Sequence, residues 1–145
     1  MIGVSVTGGP NESGRRPADA SLTMRLAPDT TELPPARRRV RATLAGWGLS
    51  DPAASVELAM SELVTNALLH GEGGIDVTVE VRGDQVWLSV GDEGFGPEPI
   101  GFREPSSTGS GGWGLRVVDG LSDSWGAHRM PGHTVVWMER RLPRD

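Results

Sequence analysis

The sequence predicts an α/β (α+β) two-layer sandwich, in which a mostly antiparallel sheet is covered by helices on one face. Apolar residues alternate with polar ones over 75–81 and 86–90, as they do in half-buried strands. Over 56–68 they recur instead every three or four residues, which is typical of an amphipathic helix. With 145 residues, the chain is long enough for one domain with a proper core.

The N-terminal part divides into a tail and a first strand. Residues 1–20 are rich in Gly, Pro, Ser and Arg and have little to bury, so we expect a disordered N-terminal tail. The domain is expected to occupy residues 21–145. Its first strand is predicted at 21–26, because Leu22, Met24 and Leu26 alternate there.

Two helices are predicted next. The first covers 35–46 and is ended by Gly46-Trp47-Gly48. Ser50 precedes Asp51-Pro52 and is expected to cap the second helix, which runs to about His70. The order helix, helix, strand, strand then favours helices that pack together on one face of a sheet.

The C-terminal half begins with a hairpin, because Gly83-Asp84 separates the two alternating segments. Residues 92–113 contain few apolar side chains and many turn formers, and loops of this length are usually functional. A third helix is predicted at 113–121. The last strand is predicted at 134–142, with a partner at 124–130.

Composition excludes several kinds of site. The net charge of −5 argues against a general nucleic-acid binder. All 14 basic residues are arginine, and a P-loop needs lysine, so that site is excluded. The absence of cysteine rules out disulfides and thiolate chemistry, and three scattered histidines do not suggest a zinc site. No apolar run approaches the roughly 20 residues of a membrane span, and no signal peptide is evident. We therefore expect no membrane contact and a cytoplasmic location.

Glu62 and Asn66 are the first candidate site residues. They lie four residues apart on the second helix, so their side chains project from the same face. A carboxylate there could act as a base, and an amide oxygen could bind a metal. Both could instead be ordinary solvated helix residues.

Asp92 is the second candidate, because it follows a strand end and precedes Gly94 and Gly96. A carboxylate there could accept a hydrogen bond from an exocyclic amino group, which adenine has and guanine lacks at that position. The two glycines would supply a positive φ angle or a close approach of the backbone. A plain turn would use the same residues.

A third glycine cluster follows at 109–114. It matches a dinucleotide fingerprint by letter, but no strand immediately precedes it and no acidic residue follows about 20 positions on. Glycines that lead into a helix N-terminus are better suited to binding phosphates through backbone amides. A glycine-rich linker would look the same.

Taken together, these three motifs in this order resemble the GHKL ATPase superfamily, which includes sensor histidine kinases, Hsp90-type chaperones and type II topoisomerases. The segment Glu62-Leu-Val-Thr-Asn66-Ala-Leu-Leu-His70-Gly71 is most similar to the anti-sigma-factor serine kinases. The resemblance covers about residues 22–142. It implies the Bergerat-type ATP-binding fold.

The resemblance also implies roles for matching residues. Asn66 would bind Mg²⁺, and Asp92 would bind the adenine amino group of ATP above Gly94 and Gly96. Residues 97–111 would form a lid, and the phosphates would meet the start of the third helix at Gly112, Gly114, Leu115 and Arg116. Arg116 stands where the superfamily often has glycine, so it could contribute positive charge to the γ-phosphate. Glu62 would be the general base that takes a proton from a partner's serine.

Two functions follow from this resemblance. The first is an anti-sigma factor with protein serine kinase activity, whose partners are a sigma factor and an anti-anti-sigma protein of the STAS type. The second is a non-catalytic ATP-binding switch that sequesters a partner protein. Glu62 favours the kinase, because a protein that only binds has no chemical need for a base. Either function is compatible with a homodimer.

Overall fold

Six strands form one antiparallel sheet in the computed structural model, which describes residues 3–8, 17, 19–94 and 110–143. Side chains of the last helix are described from Arg116 onward. The strands lie in the order β1-β2-β3-β4-β6-β5. Their bounds are β1 Gly3–Thr7, β2 Asp19–Leu26, β3 Ile75–Arg82, β4 Gln85–Asp92, β5 Ser124–Met130 and β6 His133–Arg141.

Within the residues that the structure describes, three α-helices accompany the sheet, and the predicted two-layer sandwich is confirmed. They are α1 Leu33–Gly46, α2 Ser50–His70 and α3 Ser110–Leu121, and a 3₁₀ turn at Thr30–Glu32 precedes α1. No helix within the described ranges combines the length and apolarity that crossing a membrane requires.

The core lies between the helices and one face of the sheet. Each central strand directs alternate side chains inward, as the period of two requires. These inward rows include Leu22, Met24 and Leu26 on β2, Val77, Val79 and Val81 on β3, and Val86, Leu88 and Val90 on β4. The helices cover them with Val40 and Leu44 from α1 and Val56, Met60, Leu63 and Val64 from α2. Val56, Met60 and Leu63 recur at the three- and four-residue steps that predicted an amphipathic α2.

The N-terminal residues differ from the expectation of a disordered tail over 1–20. Gly3–Thr7 forms the edge strand β1 and pairs with β2, and β2 itself begins at Asp19 rather than at Ser21. The segment Gly-Val-Ser-Val-Thr has the β-branched residues that strands favour. All five residues are exposed, so the backbone ladder rather than burial holds this strand.

The helix starts also differ in detail. Ser50 is already the first helical residue of α2, and the flanking Leu49 is buried and makes no side-chain capping bond. The expected cap by Ser50 is therefore wrong, because the short connection after α1 uses Leu49 as a core residue. The end of α1 follows the prediction, since Gly48 has a φ of 80° and the Leu49 N–H donates to the Leu44 carbonyl at 2.8 Å.

The sheet face opposite the helices carries polar and aromatic residues. Trp87 and Trp137 contact each other with ring centroids 5.3 Å apart, and the Arg82 guanidinium lies 5.0 Å from the centre of the Trp87 ring. The turn predicted at Gly83-Asp84 is present, with Gly83 at a φ of 61°, and Gly132, at a φ of 74°, turns the chain between β5 and β6.

Candidate functional site

Asp92 occupies an inward position at the end of β4, in the same row as Val86, Leu88 and Val90. The residue is only 8% exposed. Asp92 Oδ1 accepts a hydrogen bond from the Gly94 N–H at 2.8 Å, whereas Oδ2 has no partner among the described residues. Buried carboxylates are normally paired, so this oxygen is a ready acceptor for a ligand that donates a hydrogen bond.

Gly71 forms one wall beside this carboxylate. A methyl group at Gly71 would lie 2.5 Å from Asp92 Cγ and 2.6 Å from Oδ2. The residue follows α2 with an extended backbone, at a φ of −95°, so a left-handed conformation is not the reason for glycine here. The close approach of the Asp92 side chain is the reason.

Thr134 holds Gly94, which follows the end of β4. It lies opposite Asp92 in the register of β4 and β6, and its hydroxyl donates to the Gly94 carbonyl at 2.8 Å. Gly94 is thereby held at both its N–H and its carbonyl. It does not have a positive φ, so close packing is what excludes a side chain: a methyl group there would lie 2.9 Å from the Glu72 nitrogen.

A pocket of about 130 Å³ opens between α2 and the ends of the strands. Asn66 and His70 from α2 line it, together with Gly71, Asp92 and Gly94. Its other walls are mainly apolar, and they include Leu63, Ala67, Val90, Trp125, Ala127 and Val136. An apolar pocket with a few polar groups suits a flat heteroaromatic ring better than a sugar or a peptide.

Glu62 stands one helical turn before Asn66, outside the lining of this pocket. Its side chain is half-buried and makes no hydrogen bond within the described part of the chain. The same is true of the Asn66 amide. Both groups are therefore available to a ligand or to a partner protein that approaches along α2.

The structure describes the remaining predicted site residues only in part. Gly96 lies outside the described residues. Gly112, Gly114 and Leu115 lie in the first turns of α3, which begins at Ser110, and their burial and contacts fall outside the description. Arg116 is exposed on the same helix.

Glu93 follows Asp92 and contacts β2. The Arg25 guanidinium donates to Glu93 Oε1 at 2.8 Å, and the Gly74 N–H donates to Oε2 at 3.1 Å. These two hydrogen bonds stabilise the carboxylate and lower the pKa of Glu93 below its ordinary value of 4.5. The pair therefore favours folding above that ordinary value, and its contribution is lost as the pH falls through the lowered pKa.

A carbon-detected NMR titration checks this assignment. In the wild type we expect the Glu93 carboxyl to titrate below 4.5, and Arg25→Ala is expected to raise its midpoint, because the largest stabilising contact is removed. Arg82→Ala is the control, since Arg82 lies at the other end of β3. An unchanged midpoint in Arg25→Ala would contradict the assignment.

Gly71→Ala is expected to destabilise the protein by about 1–3 kcal/mol, because the added methyl group overlaps the Asp92 carboxylate. Gly46→Ala is the matched control: this helical glycine has open space around its Cα, so alanine there should be neutral or stabilising. Urea unfolding of both variants measures the difference. Equal stability of Gly71→Ala and wild type would show that the loop moves away freely.

Comparison with known proteins agrees with this geometry. Residues 26–140 match the family described as histidine kinase-like ATPase domain. The chain belongs to the histidine kinase-like ATPase family. The resemblance to the GHKL superfamily that the motifs predicted is thereby confirmed.

Two solved structures are similar to this family member. The crystal structure of the RsbU and RsbW domains of Rv1364c from Mycobacterium tuberculosis matches with 25% identity and a TM-score of 0.64. The match covers 86% of this chain but 32% of the mycobacterial one, so the chain spans about a third of its length. The histidine kinase domain of the E. coli osmosensor EnvZ matches with 18% identity and a TM-score of 0.47, over 85% of this chain and 89% of the other. No curated protein sequence matches the chain.

The pocket of this family member offers few groups that could bind a metal ion. The described residues contain no group of three or more His, Asp or Glu that could hold an ion alone. Asn66 offers one amide oxygen at the pocket wall. Mg²⁺ is commonly held by one or two protein oxygens together with water and phosphates, so the residues fit Mg²⁺ bound with a nucleotide.

Two residues at this site, Gly71 and Thr134, were not predicted as site residues from the sequence. From the sequence, Gly71 was expected only as the last residue of the segment that begins at Glu62, and Thr134 only as the first residue of the last strand. A signal for Thr134 exists, because it is a polar residue in the inward row that continues with Val136 and Met138. Asp92 breaks the inward row of β4 in the same way. Nothing in the local sequence distinguishes Gly71 from an ordinary helix-ending glycine.

Proposed function

We propose that this chain is an ATP-binding protein serine kinase of the anti-sigma type. Its substrate would be an anti-anti-sigma protein of the STAS type, and it would also bind a sigma factor. The observation that carries the proposal is the buried Asp92 carboxylate, whose Oδ2 lacks a partner among the described residues and which lines the same apolar pocket as Asn66. The similarity to the RsbW domain of the mycobacterial protein supports the anti-sigma branch.

The base of ATP would occupy the apolar pocket. Asp92 would accept a hydrogen bond from the adenine amino group, and Gly71 and Gly94 leave room for the ring edge. Guanine presents a carbonyl at that position, and its oxygen would face the carboxylate oxygen of Asp92. The pocket is therefore expected to prefer ATP to GTP.

The phosphates would extend from the pocket towards Asn66 and the start of α3. Asn66 would hold Mg²⁺, which neutralises phosphate charge when bound. The backbone amide of Gly112 is among the first four N–H groups of α3, which lack helical partners, whereas Gly114 is the fifth residue of that helix. Arg116 would add positive charge on the same helix.

Glu62 would act as the general base. It would take the proton of a partner's serine hydroxyl while the serine oxygen attacks the γ-phosphorus. The bond between the γ-phosphorus and the bridging oxygen of ADP breaks, so the products are phosphoserine and ADP, with the proton left on Glu62. Positioning and charge neutralisation would supply the rest of the rate enhancement.

Two measurements test this proposal. Calorimetric titration of the full chain with MgATP and MgGTP should give binding of ATP only. Incubation with γ-labelled ATP and candidate STAS-type proteins should then transfer label to a serine. ATP binding without transfer to any of these proteins would favour the non-catalytic switch, and absence of ATP binding would contradict both functions.

A further inference from the structure

The short loop between α2 and β3, residues 71–74, contains three glycines, and each of them lies against a different charged side chain. Gly71 faces the Asp92 carboxylate. A methyl group at Gly73 would overlap the Glu93 carboxylate, and one at Gly74 would lie 2.6 Å from Arg25 Nη2. The loop is thus closely packed around one pocket residue and around an ion pair beside it.

Glu93 joins three separate parts of the chain. Its carboxylate binds Arg25 on β2 and the Gly74 N–H before β3, and its own N–H donates to the Glu72 carbonyl at 2.9 Å. Arg25 is held in turn by Asp76, whose two carboxylate oxygens both lie 2.9 Å from Nη1. The end of β4 is therefore attached to β2 and to the glycine loop immediately after Asp92.

We propose that Arg25 and Glu93 form a clamp that positions Asp92 against Gly71, and that this clamp sets how selectively the pocket recognises the amino group of adenine. The inference rests on the proposed function, because it concerns the same pocket. Neither residue lines the pocket, so both act through Asp92 as positioning residues.

Because Arg25 and Glu93 are partly exposed, we expect their ion pair to affect the position of Asp92 more than the stability of the protein. The side chains of Arg25 and Glu93 are 38% and 54% exposed. Ion pairs this exposed contribute little to stability, since water screens them. The strength of a hydrogen bond nevertheless falls steeply with distance and angle, so a small shift of Asp92 weakens its bond to a ligand.

The test compares two nucleotides that differ only in the group that Asp92 would bind. Purine riboside triphosphate lacks the 6-amino group of ATP but carries the same sugar and phosphates. The ratio of the two dissociation constants therefore cancels any effect of Glu93 on the phosphates or on overall folding. In the wild type we expect a preference for ATP of about 10- to 100-fold.

Glu93→Ala and Arg25→Ala are each expected to lower that preference by about 3- to 10-fold, with purine riboside triphosphate bound as before. Glu80→Ala is the matched control, because Glu80 pairs with Arg82 on the same sheet, away from the pocket. Gly73→Ala also tests the clamp, because its methyl group displaces the Glu93 carboxylate and alanine strains the backbone at the Gly73 φ of 70°. It should lower the preference too.

The outcomes separate the clamp from the function on which it rests. An unchanged preference in Glu93→Ala and Gly73→Ala, beside a clear preference in the wild type, overturns the clamp and leaves the proposed function intact. If the wild type binds both nucleotides equally, Asp92 does not bind the adenine amino group, and both that part of the proposed function and the clamp are overturned. Equal weakening of both nucleotides in the variants would assign Glu93 a purely structural role, and would also overturn the clamp.

Discussion

Glu62→Ala is expected to lower the rate of phosphoryl transfer to a partner serine by about 10²–10⁴-fold, the usual contribution of a general base. The affinity for MgATP should stay within about twofold, because Glu62 lies outside the lining of the nucleotide pocket and binds no other described side chain. The loss should therefore appear in the rate at saturating ATP. Single-turnover transfer from labelled ATP measures it directly.

Two controls make that result specific. Asp51→Ala removes an acidic residue from the exposed start of the same helix, so it reports any general effect of charge on α2. Glu62→Gln keeps the size of the side chain but cannot take a proton, so it should be as slow as Glu62→Ala. Transfer by Glu62→Gln at the wild-type rate would show that another group accepts the serine proton.

Asp92→Asn is expected to weaken ATP binding by about 10- to 100-fold, the value of a hydrogen bond to a charged group. The substituted amide can present an N–H where the carboxylate presented an oxygen, and that N–H would oppose the adenine amino group. Guanine carries an acceptor at the same position, so GTP binding should not weaken. Calorimetric titration with both nucleotides measures the change in preference.

The control for this variant is Asp19→Asn, an exposed aspartate at the opposite end of the sheet. It makes the same change in charge without contact to the pocket, so its preference for ATP should equal that of the wild type. Thermal unfolding of Asp92→Asn shows whether the pocket is still formed. An Asp92→Asn variant that is folded and keeps its preference for ATP would contradict the role assigned to Asp92.

Periodicity predicted most of the fold, because each element buries one face and its spacing records that burial. The alternation of Val77, Val79 and Val81 and the helical spacing of Val56 and Met60 both appear in the core as expected. The edge strand β1 was missed, since it buries nothing: its five residues are exposed, and pairing of the backbone with β2 holds it. Such pairing depends on a strand elsewhere in the chain, so the local sequence predicts it only weakly.

The candidate site was likewise predicted only in part from the sequence. Its chemistry was readable from the sequence, since Asn66 and Asp92 stand out by residue type and spacing, and both line one pocket. The supporting contacts were not readable. Thr134 reaches Gly94 from 40 residues away, and Arg25 reaches Glu93 from 68 residues away.

The sequence by itself therefore determined which elements form, which faces they bury and which side chains carry reactive groups. These properties follow from neighbours three or four residues apart on a helix and two apart on a strand. Only the tertiary structure decided why Gly71 and Gly74 lack side chains, and why Gly73, whose φ of 70° already favours glycine, lies against Glu93. Each of them meets a charged group that the pairing of β2, β3 and β4 brings to the same end of the sheet, and contacts of that kind depend on the register of the whole sheet.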